Sequence, residues 1–503
     1  MNQKFYENVL LKINGHLQNG GCNPAFCIGK NTYTYSEFAH YVRNIREVIK
    51  SRGYTSGKIG LVINNDIQTY ASILALWNEG CCYVPLHPLW PIDRCLNIIT
   101  QVNLDFILDS TEESRFDNDS VIFTSKLPAI SNEEVIMPKG DIADEKFAYI
   151  LFTSGSTGLP KGVPITRGNL AAFVDSMANI GLDISSQDKC LQPFDLSFDF
   201  SVSGYVIPLV NGAEIFTVPL NKNKITSIAR LLLKHELTVL QMVPSMMRNL
   251  LPYIEELDLT SIRYNIFCGE SLSADLTSRW HNANPEMISY NMYGPTEDTV
   301  FCTYYLIDKE NQNGILHSND VVSVGKTFKN GNLLLLDDNN KVINQSNVEG
   351  ELCLCGLQLT PGYWNNNKDN SDKFFNYNGS RYYRSGDLCY YSDNMNLMYI
   401  GRIDNQIKLN GFRVELGEIE HKFSSLSNDC FCVVIPYHDE NNNLSLALVI
   451  EGLSHNINPE IEQLKRILPP YEVPSQFLFM NSIPLNQNGK VDRKAIKEFF
   501  KLQ

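Results

Sequence analysis

Between Tyr149 and Gly162 an apolar run, Tyr149-Ile150-Leu151-Phe152, passes into Thr153-Ser154-Gly155-Ser156-Thr157-Gly158 and ends in Leu159-Pro160-Lys161-Gly162. Glycines let backbone N–H groups come close to an anion, hydroxyls donate further hydrogen bonds, and Lys161 adds positive charge, so the segment suits phosphate. It is not the G-x-x-x-x-G-K-[ST] loop, because Gly162 follows the lysine and Pro160 forbids a helix running through it. A surface linker of the same composition is the competing reading. Downstream, Phe198-Asp199-Phe200-Ser201 sets one carboxylate in an apolar run, and Phe194-Asp195-Leu196-Ser197 is an upstream copy of the same pattern. By residue type alone, Asp199 suits the N-cap of a helix over Phe200 to Ile207.

These groups need a scaffold. Ile59 to Ile63 and Asp105 to Asp109 read as strands, Thr69 to Trp77 and Thr226 to His235 as helices, and Leu237 to Val243 as a strand. Strand–helix alternation of this kind predicts parallel sheets covered by helices. Beyond about residue 320, turns rich in Asn, Asp and Gly separate short β runs such as Asn332 to Leu336 and Gly350 to Cys355, which predicts a β-rich subdomain. From Gly401-Arg402-Ile403-Asp404 onward about 100 residues carry a β and helix pattern of their own. The expected architecture is α/β: a large N-terminal domain of helix-covered, mostly parallel sheets with a β-rich subdomain (1–403), then a small mobile α+β domain (404–503).

Composition narrows the function. The 503 residues are 43% hydrophobic and 19% charged, which suits a globular chain and excludes wholesale disorder. With 42 Lys plus Arg against 56 Asp plus Glu, the net charge of −14 speaks against nucleic acid or an anionic membrane as partner. No apolar run approaches a membrane span, and the start, Met1-Asn2-Gln3-Lys4-Phe5-Tyr6-Glu7, lacks a signal-peptide core, so a cytoplasmic location is expected. The 13 cysteines include no C-x-x-C, and the 9 histidines form no metal-ligand pattern; reduced, mostly buried thiols are expected.

Read in order, the motifs resemble those of the adenylate-forming superfamily, which holds amino-acid adenylation domains, acyl-CoA synthetases and luciferases. Thr34-Tyr35-Ser36-Glu37-Phe38 and Gly80-Cys81-Cys82-Tyr83-Val84-Pro85-Leu86 match its early motifs, and Thr153 to Gly162 its phosphate loop. Asn291-Met292-Tyr293-Gly294-Pro295-Thr296-Glu297, Gly350-Glu351-Leu352 through Gly362-Tyr363-Trp364, and Tyr383-Arg384-Ser385-Gly386-Asp387-Leu388 follow. Gly401 to Lys408, Gly411 to Glu420 and Asn488-Gly489-Lys490-Val491-Asp492-Arg493 complete the set.

The resemblance implies ATP and Mg²⁺ as cofactors and attack of a carboxylate on the α-phosphate, where positioned cations and N–H donors dominate catalysis. On this reading Thr153, Ser154, Gly155, Ser156, Thr157, Gly158 and Lys161 hold the leaving pyrophosphate. Asn291, Tyr293, Gly294 and Arg402 line the nucleotide site, with Tyr293 stacked on adenine and Asp387 accepting the ribose hydroxyls. Thr296 contacts the α-phosphate, Glu297 binds Mg²⁺ as a hard oxygen ligand, and Lys490 bridges substrate carboxylate and α-phosphate. Solvated surface acids are the bland alternative for Glu297 and Asp387. Asp404 is implied as the hinge about which the small domain turns, presenting either Lys490 or the segment around Gly411.

The spacing from Asp199 to Leu209-Val210-Asn211-Gly212-Ala213 fits the amino-acid-activating branch, in which that carboxylate pairs with the substrate ammonium. Transferred site positions are Asp199, Phe200, Ser203, Gln241, Ile266, Cys268, Met292, Val300 and Phe301, with Lys490. No acid beyond Asp199 and no base beyond Lys490 is present, so a neutral small-to-medium amino acid is expected. Phe200, Ile266, Met292 and Val300 resemble threonine-type sites, whereas Cys268-Gly269-Glu270 and the length resemble D-alanine–carrier protein ligases. Only 13 residues follow Lys490, so the expectation is transfer in trans to the phosphopantetheine thiol of a separate carrier protein. A carboxylate–CoA ligase and a non-catalytic nucleotide- or carrier-binding relative are the alternatives; tRNA charging shares only the first half-reaction. Trp77-Asn78-Glu79, His87 and Glu472 depart from the family pattern and are expected to be inconsequential.

Overall fold

The computed structural model describes every residue except 1, 2, 55, 129–136, 139–141, 156–159, 221, 405, 428, 429, 441, 442, 486–490 and 501–503. Its contacts divide the chain into two compact units. The first comprises Met1–Pro88, Ile99–Leu151 and Gly162–Ile403; the second comprises Leu89–Ile98, Phe152–Lys161 and Asp404–Gln503.

A nine-stranded sheet dominates the first unit, in the order Lys326–Thr327, Thr303–Ile307, Ile288–Tyr293, Tyr264–Phe267, Val239–Met242, Lys189–Gln192, Glu214–Thr217, Pro24–Ile28, Asn31–Thr34. Its six inner strands run parallel and its edges antiparallel. A second sheet orders Val121–Phe123, Ile107–Asp109, Lys58–Val62, Cys82–Leu86, Phe147–Thr153, Lys161–Thr166. Strands covered by helices on their faces are near-continuously apolar, as Cys82–Leu86 and Val239–Met242 are, with every residue buried. One contiguous core, reaching from Phe5 to Leu397, joins both sheets and their helices. The β-rich portion is an antiparallel sheet built on Gly331–Leu336, Gly350–Gly356 and Ser380–Tyr391.

Element boundaries move where side chains cap. The helix expected from Thr69 begins at Ile67, because the Asp66 side chain accepts from the Thr69 N–H. Asn223 starts the helix Lys224–His235 in the same way, and Glu236, left-handed at φ 46°, ends it. The strand expected over 105–109 shortens to Ile107–Asp109, with the Asp105 carboxylate accepting from the Lys58 N–H at 2.7 Å.

The second unit is α+β. It has a hairpin, Gln406–Leu409 with Phe412–Glu415, and a three-stranded sheet, Cys432–His438, Leu444–Glu451 and Gln476–Met480. Helices Leu416–Leu426 and Asn458–Ile467 pack on it around Ile419, Phe423, Val434, Leu448 and Leu464. None of the 13 cysteines is in a disulfide and ten are buried, as expected of thiols that act as small apolar groups. Among the described residues no helix is long and apolar enough to cross a membrane.

Candidate active site

Sheet register brings the expected amino-acid contacts together. Gln241 aligns with Ile266, and Ile266 with Tyr290. Side chains alternate along a strand, so Cys268 and Met292, two residues further along, belong to the same face. The helix Phe200–Asn211 reaches this face, where the Gln241 Nε2 donates to the Ser203 carbonyl at 3.4 Å. Asp199 stands at the head of that helix but already has helical dihedrals and makes no side-chain capping bond, so a capping role does not account for it. Its upstream copy is differently engaged. Asp195 pairs with Lys224 at 3.2 Å and faces His87 at 3.9 Å, and these partners outweigh burial and hold its carboxyl down at about 2.

Where the strand Ile288–Tyr293 ends, polar side chains converge. Asn291 is buried and donates to the carbonyls of Val322 and Ser323. The Tyr293 hydroxyl donates to Asp387, which also pairs with Arg402 at 2.9 Å. Burial first, and the Asp387 charge second, push the Tyr293 phenol far above its ordinary range, so it remains a donor. A Cβ on Gly294 would lie 2.6 Å from the Val300 carbonyl; only glycine lets the chain pass so close to the next turn.

That turn is strained and clamped. Thr296 is half-buried and opens a single helical turn, Thr296–Asp298; Glu297 within it is fully buried and accepts from the Tyr363 hydroxyl at 2.6 Å. Thr299 (φ 51°) and Val300 (φ 73°) then adopt left-handed backbone, a conformation that costs β-branched residues about 1–3 kcal/mol each. Gln358, itself buried, holds them: its Nε2 donates to the carbonyls of Asp298 (3.3 Å), Thr299 (3.4 Å) and Phe301 (2.6 Å). Its Oε1 accepts from Ser176 at 2.8 Å. Beside Glu297, burial pushes the Asp298 carboxyl up to about 7.

In the second unit the phosphate-loop residues Thr153, Ser154 and Gly155 and the lysine Lys161 are described. Ser156, Thr157, Gly158 and Lys490 lie outside the described residues. Ser154 Oγ donates to the Arg413 carbonyl at 2.7 Å and accepts from the Glu415 N–H at 3.2 Å. The Gly155 N–H donates to Glu418 at 3.1 Å, and Glu418 pairs with Arg94 at 3.5 Å. Asp404 is exposed, and its carboxylate accepts from the Gln406 N–H at 3.2 Å.

Comparison with known proteins gives this arrangement a lineage. The family model for AMP-binding enzymes matches residues 17–364. The chain belongs to the AMP-binding enzyme family. It is 30% identical over 492 residues to the D-alanine--D-alanyl carrier protein ligase of Bacillus licheniformis, covering 94% of this chain and 96% of that protein. It is also 30% identical to bacitracin synthase 1 of Bacillus licheniformis, covering 98% of this chain but only 9% of that much longer protein. Among solved structures, the Vibrio cholerae adenylation domain AlmE in complex with glycyl-adenosine-5'-phosphate superposes with a TM-score of 0.87 at 24% identity, covering 100% of this chain and 98% of that one. Holo-PA1221, containing adenylation and PCP domains, gives 0.84 at 23% identity, covering 98% and 84%. The fold is that of adenylation domains.

Several residues of this AMP-binding enzyme escape a motif reading. Gln358 lies inside a quoted motif yet had no assigned role; a lone amide in the run Gly356-Leu357-Gln358-Leu359 was its one signal. The departures expected to be inconsequential are structural. Trp77 is fully buried and donates to the Ala148 carbonyl at 2.8 Å; Asn78 bonds Asn14, and Glu79 pairs with buried Arg46 at 2.6 Å. His87 faces Asp195, and Glu472 is fully buried in the second unit.

Proposed function

We propose that this AMP-binding enzyme activates a neutral amino acid as its aminoacyl-adenylate and passes it to the phosphopantetheine thiol of a separate carrier protein. The single observation that carries the amino-acid assignment is the different engagement of two look-alike aspartates. Asp195 is committed to Lys224 and His87, whereas Asp199 heads the helix whose Ser203 carbonyl accepts from Gln241 and does not cap that helix. A carboxylate there pairs with a substrate ammonium; a fatty or aryl acid would leave it buried with no cation from the substrate, which is costly.

In the proposed reaction a substrate carboxylate oxygen forms a bond to the α-phosphorus of ATP as the bond to pyrophosphate breaks. Asp199 orients the ammonium, Tyr293 and Asp387 hold adenine and ribose, Thr296 and Lys490 meet the α-phosphate end, and Thr153 to Lys161 hold the pyrophosphate. Glu297 suits Mg²⁺ as a hard carboxylate-oxygen ligand whose orientation the Tyr363 hydroxyl fixes. Bound Mg²⁺ would neutralise charge on the phosphates. Transfer then joins the acyl carbon to the carrier thiol and releases AMP. The activity for which the Bacillus licheniformis ligase is named, on a D-alanyl carrier protein, supports the second half-reaction.

The test is amino-acid-dependent ATP–pyrophosphate exchange across the proteinogenic set plus D-alanine, with fatty and aryl acids as controls. Exchange with amino acids, abolished by Asp199→Ala without new activity on the controls, supports the proposal. Exchange with the controls alone identifies a carboxylate–CoA ligase, and ATP binding with no exchange for any acid identifies a non-catalytic relative.

A further inference from the structure

The two look-alike aspartates sit on one short loop. It leaves the strand Lys189–Gln192 and enters the helix Phe200–Asn211, so Asp195 lies inside it and Asp199 at its end. A loop of this kind has no ladder of its own, and its course is set by the groups that its backbone and side chains hold.

Three sets of contacts fix this one. At its start the Gln192 amide brackets Phe194, with Oε1 accepting from the Phe194 N–H and Nε2 donating to the Phe194 carbonyl, both at 2.9 Å. Along its length Phe194 stacks on Phe200 with centroids 4.1 Å apart, and Phe198 meets Phe194 edge-on at 5.7 Å and 75°. In the middle, Asp195 is tied in two directions. Its carbonyl accepts from the Phe198 N–H at 2.9 Å; the Phe198 carbonyl in turn accepts from the Ser201 N–H at 3.0 Å, which carries the chain of bonds into the first turn of the helix. Its carboxylate reaches out of the loop to two other elements. Lys224, the first residue of the helix Lys224–His235, donates to Oδ2 at 3.2 Å, and His87, which follows the strand Cys82–Leu86, lies 3.9 Å from Oδ1. Only 12% of the Asp195 side chain is exposed, so this is a contact in low dielectric and not a screened surface pair.

Resting on the amino-acid reading of Asp199, we propose that Asp195 is a positioning residue for it: the anchor of Asp195 to Lys224 and His87 fixes the loop that holds the ammonium-binding carboxylate. Asp195 is not itself a substrate contact. It acts through the Phe198 N–H and the ring cluster on the head of the helix. A misplacement of about 1 Å at a binding group can cost about 100-fold, so an anchor four residues upstream has leverage on substrate binding. The repeated F-D-x-S pattern is then a pair with divided labour, one carboxylate for the scaffold and one for the substrate.

The experiment follows ATP–pyrophosphate exchange by the full chain for wild type, Asp195→Asn, Lys224→Met and the double variant. It reads the KM for the best amino acid, the KM for ATP, and the inhibition constant of that acid's des-amino analogue, which keeps the carboxylate but has no ammonium. Each single variant should raise the amino-acid KM by about 10- to 100-fold and leave the other two constants within about twofold. The double variant should be no worse than Asp195→Asn alone, because both changes remove one anchor. Lys224→Met, at a side chain 29% exposed, keeps the test open should Asp195→Asn fail to fold. An amino-acid KM that stays at the wild-type value in a folded variant overturns the inference. So does a rise shared by ATP and the des-amino analogue, or failure of both single variants to fold, since either assigns the anchor to the fold at large. Wild type that exchanges with no amino acid overturns the amino-acid reading and this inference with it, whereas the other outcomes leave that reading standing.

Discussion

At the proposed nucleotide end, one carboxylate is shared by two donors of unequal character. Arg402 gives Asp387 a charged partner, and Tyr293, kept protonated by burial and by Asp387 itself, gives a neutral one. A buried carboxylate held from two directions is pre-organised to accept further donors such as ribose hydroxyls. Tyr293→Phe keeps the ring face but removes the phenol donor, so the KM for ATP should rise by about fivefold, equivalent to roughly 1 kcal/mol, with little change in kcat. Asp387→Asn loses the charge that both donors address; kcat/KM for ATP should fall by about 10- to 100-fold. Steady-state kinetics with ATP varied at saturating amino acid would measure both, and a larger loss for Tyr293→Phe than for Asp387→Asn would contradict the division of roles.

The turn from Thr296 to Phe301 shows how an element can be specified from a distance. Two β-branched residues in left-handed backbone are an unfavourable local choice, and no short-range pattern in Thr296-Glu297-Asp298-Thr299-Val300-Phe301 announces it. The stabilising donor comes from Gln358, about 60 residues away in sequence. Replacing it with alanine leaves the carbonyls of Asp298, Thr299 and Phe301 without that donor, and the Ser176 hydroxyl without its acceptor. Gln358→Ala should therefore lose about 2–4 kcal/mol of stability in urea denaturation, and Gln358→Glu, which has no amide donor, should not restore it. A loss below about 0.5 kcal/mol would mean that the turn holds its shape unaided. The same contrast explains what was readable beforehand. Parallel sheets, the β-rich portion and the helices Ile67–Asn78 and Lys224–His235 follow from periodicity and local caps such as Asp66 and Asn223, which act within three residues. The residues proposed for the site come from motif order. The clamp does not, because its signal is a long-range hydrogen bond, and neither do the two aspartates' different partners, since Lys224 and His87 lie about 30 and 110 residues from Asp195.

Across the whole molecule, the second unit carries an acid whose cost depends on pH. Glu472 is fully buried and shares its surroundings with Arg94, Glu418, Lys422 and Tyr471. Burial is the main cause that pushes its carboxyl up to about 8; Glu418 adds to the rise, while Arg94 and Lys422 oppose it. Glu418 is itself raised by burial, and it meets the phosphate-loop N–H of Gly155. An acid raised above its unfolded value of 4.5 holds a proton in the folded state that the unfolded chain has already released. Its contribution is complete below about pH 4.5 and declines as pH climbs toward 8, by about 1.4 kcal/mol per pH unit for one proton. Glu472→Gln keeps the shape of the neutral acid and cannot ionise. Between pH 5.5 and 7.5 the variant should accordingly gain about 2–3 kcal/mol on the wild type in denaturant titrations that follow the second unit. Parallel pH profiles for the two proteins would show that Glu472 is ionised throughout, held by Arg94. In that case replacing Glu472 should destabilise the protein at neutral pH instead, because the Arg94 charge would lose one of its two buried carboxylate neighbours.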